Sequence, residues 1–208
     1  MAELAASPRR TLVRRAMLLE ASIITYNIVE GILAVAAGIA AGSVVLIGFG
    51  LDSGIEVSAA LVVLYHLSRS HEEEQPEWER RAAMFVGATL LALSVYVVGR
   101  SVYALVTQSE PSESYLGLGI TLVSLVVMPT VSRLQHNLAG KINSLALEAD
   151  SKETLVCTLL SGTAVLGLGA NALFGWWWAD PVAALVMVFF IAREGWEAFT
   201  RKELICVD

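Results

Sequence analysis

Charge is scarce in this chain. Only 16% of its 208 residues are Asp, Glu, Lys or Arg, against about a quarter in ordinary soluble domains. Hydrophobic residues make up 56%, and mean hydropathy is +0.65. That balance excludes a water-solvated globule and implies an integral membrane protein of one compact bundle. Cysteine is almost lacking: Cys157 and Cys206 make no disulfide framework. Histidine is nearly as rare, and His66, His71 and His136 read as loop or boundary residues. No His-Glu-x-x-His string occurs, so no enzyme is expected. No basic patch is interleaved with aromatics, so no nucleic-acid partner is expected either. Arg9, Arg10, Arg14 and Arg15 precede the first apolar run, but Glu20 interrupts its core and the run is too long for a signal peptide.

What the chain does contain is long apolar runs. A helix of about 20 apolar residues crosses a bilayer. Six such segments are expected, from Ala16 to Ala40, Ser43 to Ser68, Ala82 to Thr107, Ser114 to Ser132, Thr154 to Phe174 and Trp177 to Ala192. The fold class is therefore all-α, a polytopic bundle of six transmembrane helices. The short turn at Ala40–Ser43 makes helices one and two a hairpin, and Gly175–Pro181 does the same for five and six. Trp176, Trp177 and Trp178 suit an interfacial aromatic belt. Residues 133–152 form the longest expected connection, with a helix-compatible run from Leu138 to Leu147. Asp180, before Pro181, reads as a helix N-cap.

Thirteen of the fourteen Lys and Arg residues fall in the N-terminal segment, the second and fourth loops and the tail. The first, third and fifth loops have none. The positive-inside rule then places both termini in the cytoplasm. The expected organisation is a basic segment at 1–15, a transmembrane domain at 16–197 and a short tail at 198–208. No separate soluble domain is expected after the sixth helix, because about 16 residues follow Ala192.

Against this apolar background, Asp52 and Glu56 stand near the middle of the second span. A central Asp costs about 2.5–3.5 kcal/mol on insertion scales, so such a pair needs a partner or a polar pocket. A spacing of four puts both carboxylates on one helix face. The start of the fifth span repeats the device. Glu153 and Cys157 are again four apart, with Asp150 one turn earlier. Helices two and five run in opposite directions, so Asp52 is expected to meet Cys157 while Glu56 meets Glu153. Carboxylates with a thiolate suit a borderline divalent ion such as Zn²⁺, whereas Mg²⁺ or Ca²⁺ prefer oxygen alone. Fe²⁺, Mn²⁺ and Co²⁺ remain open.

Blander roles stand beside these. Asp52 and Glu56 either hold a cation or pair with Arg100, the lone basic residue inside a span. Cys157 is either a ligand or a small buried hydrophobe. Asp150 and Glu153 are either ligands or a solvated helix start, where acids are favoured by the macrodipole. Glu20, Asn27 and Glu30 form a polar side of helix one that either lines the pocket or bonds across helices.

The strings Ala41-Gly42-Ser43, Gly48-Phe49-Gly50-Leu51-Asp52-Ser53-Gly54-Ile55-Glu56 and Trp178-Ala179-Asp180-Pro181-Val182-Ala183-Ala184-Leu185 resemble the cation diffusion facilitator, or cation efflux, family. The likeness runs over roughly residues 16 to 197 and is similar in detail to a small branch of zinc-binding transmembrane proteins. The resemblance implies a transport site at two positions on helix two and two on helix five, which map onto Asp52, Glu56, Glu153 and Cys157. Here Glu fills the second position, and Glu and Cys stand where His and Asp are common. The resemblance further implies export of a divalent cation, Zn²⁺ foremost, in exchange for protons by alternating access. It implies a homodimer in the cell membrane. The rival function is a metal-binding membrane scaffold that does not transport.

Overall fold

The computed structural model describes residues 2–68 and 76–200. They form α1 (Ala2–Ala41), α2 (Val44–Ser68), α3 (Pro76–Thr107), α4 (Tyr115–Ile142), α5 (Leu145–Phe174) and α6 (Ala179–Thr200), with no strand among the described residues. Five of these helices carry stretches long and apolar enough to cross a membrane. The sixth, α6, has 22 residues and carries Asp180 at its start and Arg193, Glu194 and Glu197 toward its end. Charge at its two ends, not a polar middle, sets it apart.

Burial runs opposite to that of a soluble domain. Val95, Val106 and Leu166 are each at least 74% exposed, while Glu20, Asn27, Glu30, Asp52, Gln135 and Asp150 are each at most 6% exposed. In water such an apolar exterior would drive association. In lipid it is the favoured surface, and the backbone polar groups are satisfied within each helix. The protein is an all-α, multi-pass integral membrane protein.

Helices pair mainly as α1 with α2, α4 with α5, and α3 with α6. The α2 helix touches α1, α3, α5 and α6, which puts it at the centre of the bundle. Small residues permit the closest approaches, as membrane helices require without a hydrophobic drive between them. A Cβ on Gly50 would lie 2.8 Å from the Val35 amide nitrogen of α1 and 2.9 Å from the Gly31 carbonyl oxygen. On the α3–α6 face, a Cβ on Gly87 would lie 2.6 Å from the Phe199 amide nitrogen. An Ala at either position would push the two helices apart.

Two expectations change, the long fourth connection and the capping role of Asp180. Residues 133–152 are not a loop: α4 continues to Ile142 and α5 begins at Leu145. Asn143 takes the left-handed conformation (φ 56°) and its N–H bonds the Ala139 carbonyl, while the Ser144 hydroxyl accepts from the Leu147 amide. These two capping residues turn the chain at once, and helical hydrogen bonding carries both helices past their apolar parts. Asp180 does not cap its own helix. Its carboxylate accepts from the Ser43 hydroxyl and from the amides of Val44 (2.8 Å) and Val45 (3.2 Å). It thus satisfies the open N-terminus of α2 from across the bundle. The α1 helix starts at Ala2 and includes Arg9, Arg10, Arg14 and Arg15, and the tail 198–208 passes out of the described residues after Thr200. His71 also lies outside them.

Candidate metal centre

The central helix brings its acids inward because its lipid-facing side is filled by Leu51 and Leu61, while Asp52, Ser53, Ala59 and Ala60 face the bundle. The α5 helix offers Cys157, 1% exposed, from the opposite wall. Ligand atoms of Asp52, Glu56 and Cys157 all lie within 4.8 Å of one another. A tetrahedral Zn²⁺ with bonds of about 2.0–2.3 Å needs its donors roughly 3.3–3.5 Å apart. Small side-chain rotations close that gap, and an ion would supply the attraction that three mutually repelling groups lack.

The Glu56 carboxylate is oriented from α1. Asn27 Nδ2 donates to Glu56 Oε2 at 3.1 Å. Glu30 accepts from the Tyr26 hydroxyl at 2.9 Å and from the Ser53 hydroxyl at 3.2 Å. Glu30 acts electrostatically on both Asp52 and Glu56. Donated hydrogen bonds of this kind fix rotamers that a metal would otherwise have to order.

Beside the three donors runs a cleft lined by Asp52, Ile55, Glu56, Ala59, Val86, Leu90, Glu153 and Glu194. Glu153 therefore shares the cavity with Asp52 and Glu56 without joining the three-donor group. Cys157 lies beside both carboxylates, so the expected pairing of Asp52 with Cys157 widens to a group of three that includes Glu56. Glu194, from α6, is a lining residue that the sequence reading missed. A signal existed: the buried stripe Met187, Ile191, Gly195 continues past Ala192 at helical spacing, and Glu194 is three residues beyond Ile191. Ending the span at the charge of Arg193 concealed it.

Two other candidates lie elsewhere. Asp150 and Glu20 are bridged by Gln135 Nε2, which donates to both, at 3.1 Å to Glu20 Oε1. They form a separate cluster on α1, α4 and α5. Asp150 is thus no solvated helix start, being 6% exposed. Arg100 is not the partner of the central acids. It is exposed on α3, its guanidinium 5.9 Å from the centroid of the Tyr103 ring. His136 is exposed on α4 and takes no part in either cluster.

Residues 22–202, most of the chain, match the cation efflux transmembrane domain. The chain belongs to the cation efflux family, the cation diffusion facilitators. Among curated relatives, a cadmium, cobalt and zinc/H(+)-K(+) antiporter of Bacillus subtilis is 26% identical over 192 residues, 88% of this chain and 60% of the relative. An uncharacterised transporter of Synechocystis is 25% identical over 161 residues, 74% of this chain and 52% of that protein. The cation-efflux pump FieF of Citrobacter koseri is 26% identical over 168 residues, 76% and 56% respectively. This cation efflux family member spans little more than half the length of those relatives. All three are named as transporters or pumps.

Proposed function

We propose that the protein exports divalent metal cations, Zn²⁺ foremost, across the cell membrane in exchange for protons. Residues 16–197 are the translocating unit, and it works as a homodimer. The observation that carries this reading is the convergence of Asp52, Glu56 and Cys157 within 4.8 Å at the α2–α5 contact. Two oxygens and one sulfur suit a borderline ion, and a fourth position stays open for water or for Glu153. Relatives named for cadmium, cobalt, zinc and proton exchange support the class of cargo and the coupling.

The coupling follows from the ligands themselves. Carboxylate and thiol bind metal only when deprotonated, so protons and metal compete for the same atoms. Metal arriving from the cytoplasm displaces protons, and protons arriving from outside expel the metal. The cleft's lining from α3 (Val86, Leu90), α5 (Glu153) and α6 (Glu194) lies on the helix halves nearer the basic end of the bundle, while its α2 residues centre on the helix middle, which supports access from the cytoplasmic side. At the opposite end, the Asp180 bonds join the starts of α6 and α2, and the Asn171 Nδ2 bond to the Pro111 carbonyl (3.0 Å) ties the end of α5 to the α3–α4 connection. Rocking of helices about the midplane site would exchange which end is closed.

Proteoliposomes loaded with a metal-sensitive dye test this. Flux of Zn²⁺ into the lumen should exceed that of Mn²⁺ and Fe²⁺, rise with an outwardly directed proton gradient (lumen acidic), and vanish in Asp52→Ala. Unchanged flux in that variant removes Asp52 from the path. Tight metal loading with no flux in the wild type would favour the scaffold reading instead.

A further inference from the structure

The cluster of Glu20, Gln135 and Asp150 has no role in the site described above. It draws one residue each from α1, α4 and α5, and all three side chains are at least 94% buried. Gln135 Nε2 donates to both acids. No Lys or Arg pairs with either acid among the described residues. Two buried acids without a cation are costly in a membrane interior.

The decisive detail is what remains unpaired. Glu20 Oε2 and Gln135 Oε1 are closed off from solvent and accept no hydrogen bond. Buried acceptors of this kind normally have a partner, and a missing one is an ion or a water. The unpaired Glu20 oxygen belongs to the same carboxylate that accepts from Gln135, so these unpaired acceptors are part of the cluster. An amide flip of Gln135 would turn a third oxygen toward it, since the two ends of the amide are interchangeable in shape.

Position adds a second argument. Ala16, Ala139, Ile142 and Leu147 pack together about one turn toward the basic end, beneath Glu20, Gln135 and Asp150. On the other side, Asn27 is seven residues beyond Glu20 and Cys157 seven beyond Asp150. Two turns separate the pairs, about 10 Å along the helix axes. The cluster therefore sits between an apolar seal and the α2–α5 group, joined to it by two helices. It is too far away to share one ion with that group.

We propose that Glu20, Gln135 and Asp150 form a second cation site, made of oxygen alone and selective for a hard divalent ion of the Mg²⁺ or Mn²⁺ class. Two carboxylates neutralise such an ion, and oxygen donors suit it better than a sulfur-containing set does. The site is independent of whether the α2–α5 group carries its ion across the membrane.

Paramagnetic Mn²⁺ is the probe. Purified full-length protein in nanodiscs, titrated with Mn²⁺ and followed by electron paramagnetic resonance, should retain a bound Mn²⁺ when Cys157→Ser and Asp52→Asn have disabled the first group. The pair Glu20→Gln with Asp150→Asn should lose that Mn²⁺ by at least about 100-fold in affinity, beyond the 10–100-fold cost of losing an outer-shell partner. Meanwhile the ultraviolet Cd–thiolate band from Cys157 should remain, reporting an intact first group and an intact fold. Retained Mn²⁺ in the double variant overturns the proposal, as does a wild type that holds no Mn²⁺ while showing the Cd–thiolate band. The latter result would mark the acids as sharing a proton only. Should the double variant lose the Cd band as well, Gln135→Glu decides: a third carboxylate must tighten Mn²⁺ binding, and unchanged or weaker binding overturns the proposal.

Discussion

The group on α2 and α5 contains a thiol and borders a cleft, whereas the group on α1, α4 and α5 contains only oxygen and has an apolar seal beneath it. Both lie in the same bundle, and α5 contributes to each. Their differences therefore reflect side-chain choice and access rather than fold. A cleft suits an ion that must come and go, and a mixed oxygen and sulfur set gives a borderline metal a preference without hard-ion competition. The oxygen cluster is ordered by a single amide, Gln135. In the central group Glu56 is oriented by a donor on α1, Asn27, while Glu20 and Asp150 share one donor, Gln135.

The largest break in this comparison is expected from Asp52→Asn. Calorimetry should show Zn²⁺ affinity falling by more than about 100-fold, since a ligand is lost and not merely an outer partner. Mn²⁺ held by Glu20 and Asp150 should be untouched; if both metals weaken together, the two groups are one site. Cys157→Ser sharpens the contrast by removing sulfur alone. In competition titrations Cd²⁺ should weaken by about tenfold or more relative to Mn²⁺, because the soft ion depends on the thiolate. Equal weakening would show that Cys157 is only packing. Asn27→Leu removes the hydrogen bond that orients Glu56, and Zn²⁺ affinity should fall by about tenfold. A null result in the same titration would make that bond incidental. Asp180→Ala should cost about 0.5–2 kcal/mol of stability, as loss of a helix cap does, seen as a lower Tm with metal affinity unchanged.

Much of the central group was legible because helical spacing is a strong constraint. Asp52 with Glu56, and Glu153 with Cys157, share faces by their spacing of four, and antiparallel neighbours can bring those faces together. The register between helices was not legible, since it depends on how Gly31, Gly50 and the other small residues let the helices slide and seat. That is why Cys157 meets both carboxylates while Glu153 lines the cleft beside them. Spacing along one helix also could not separate Asp150 from Glu153. Three residues turn a helix by about 300°, and Gln135 on α4 claims the first of them. The turn at Asn143–Ser144 was written in capping residues but was masked by the charges around it. Glu194 was lost for the same reason, because a span judged by hydropathy ends at the first charge even when its buried stripe continues.

Zinc X-ray absorption at one equivalent of metal tests the central claim most directly. The wild type should show one sulfur at about 2.3 Å and oxygens near 2.0 Å, with the sulfur shell gone in Cys157→Ser. A first shell of oxygen and nitrogen alone in the wild type would contradict metal binding between α2 and α5 by Asp52, Glu56 and Cys157.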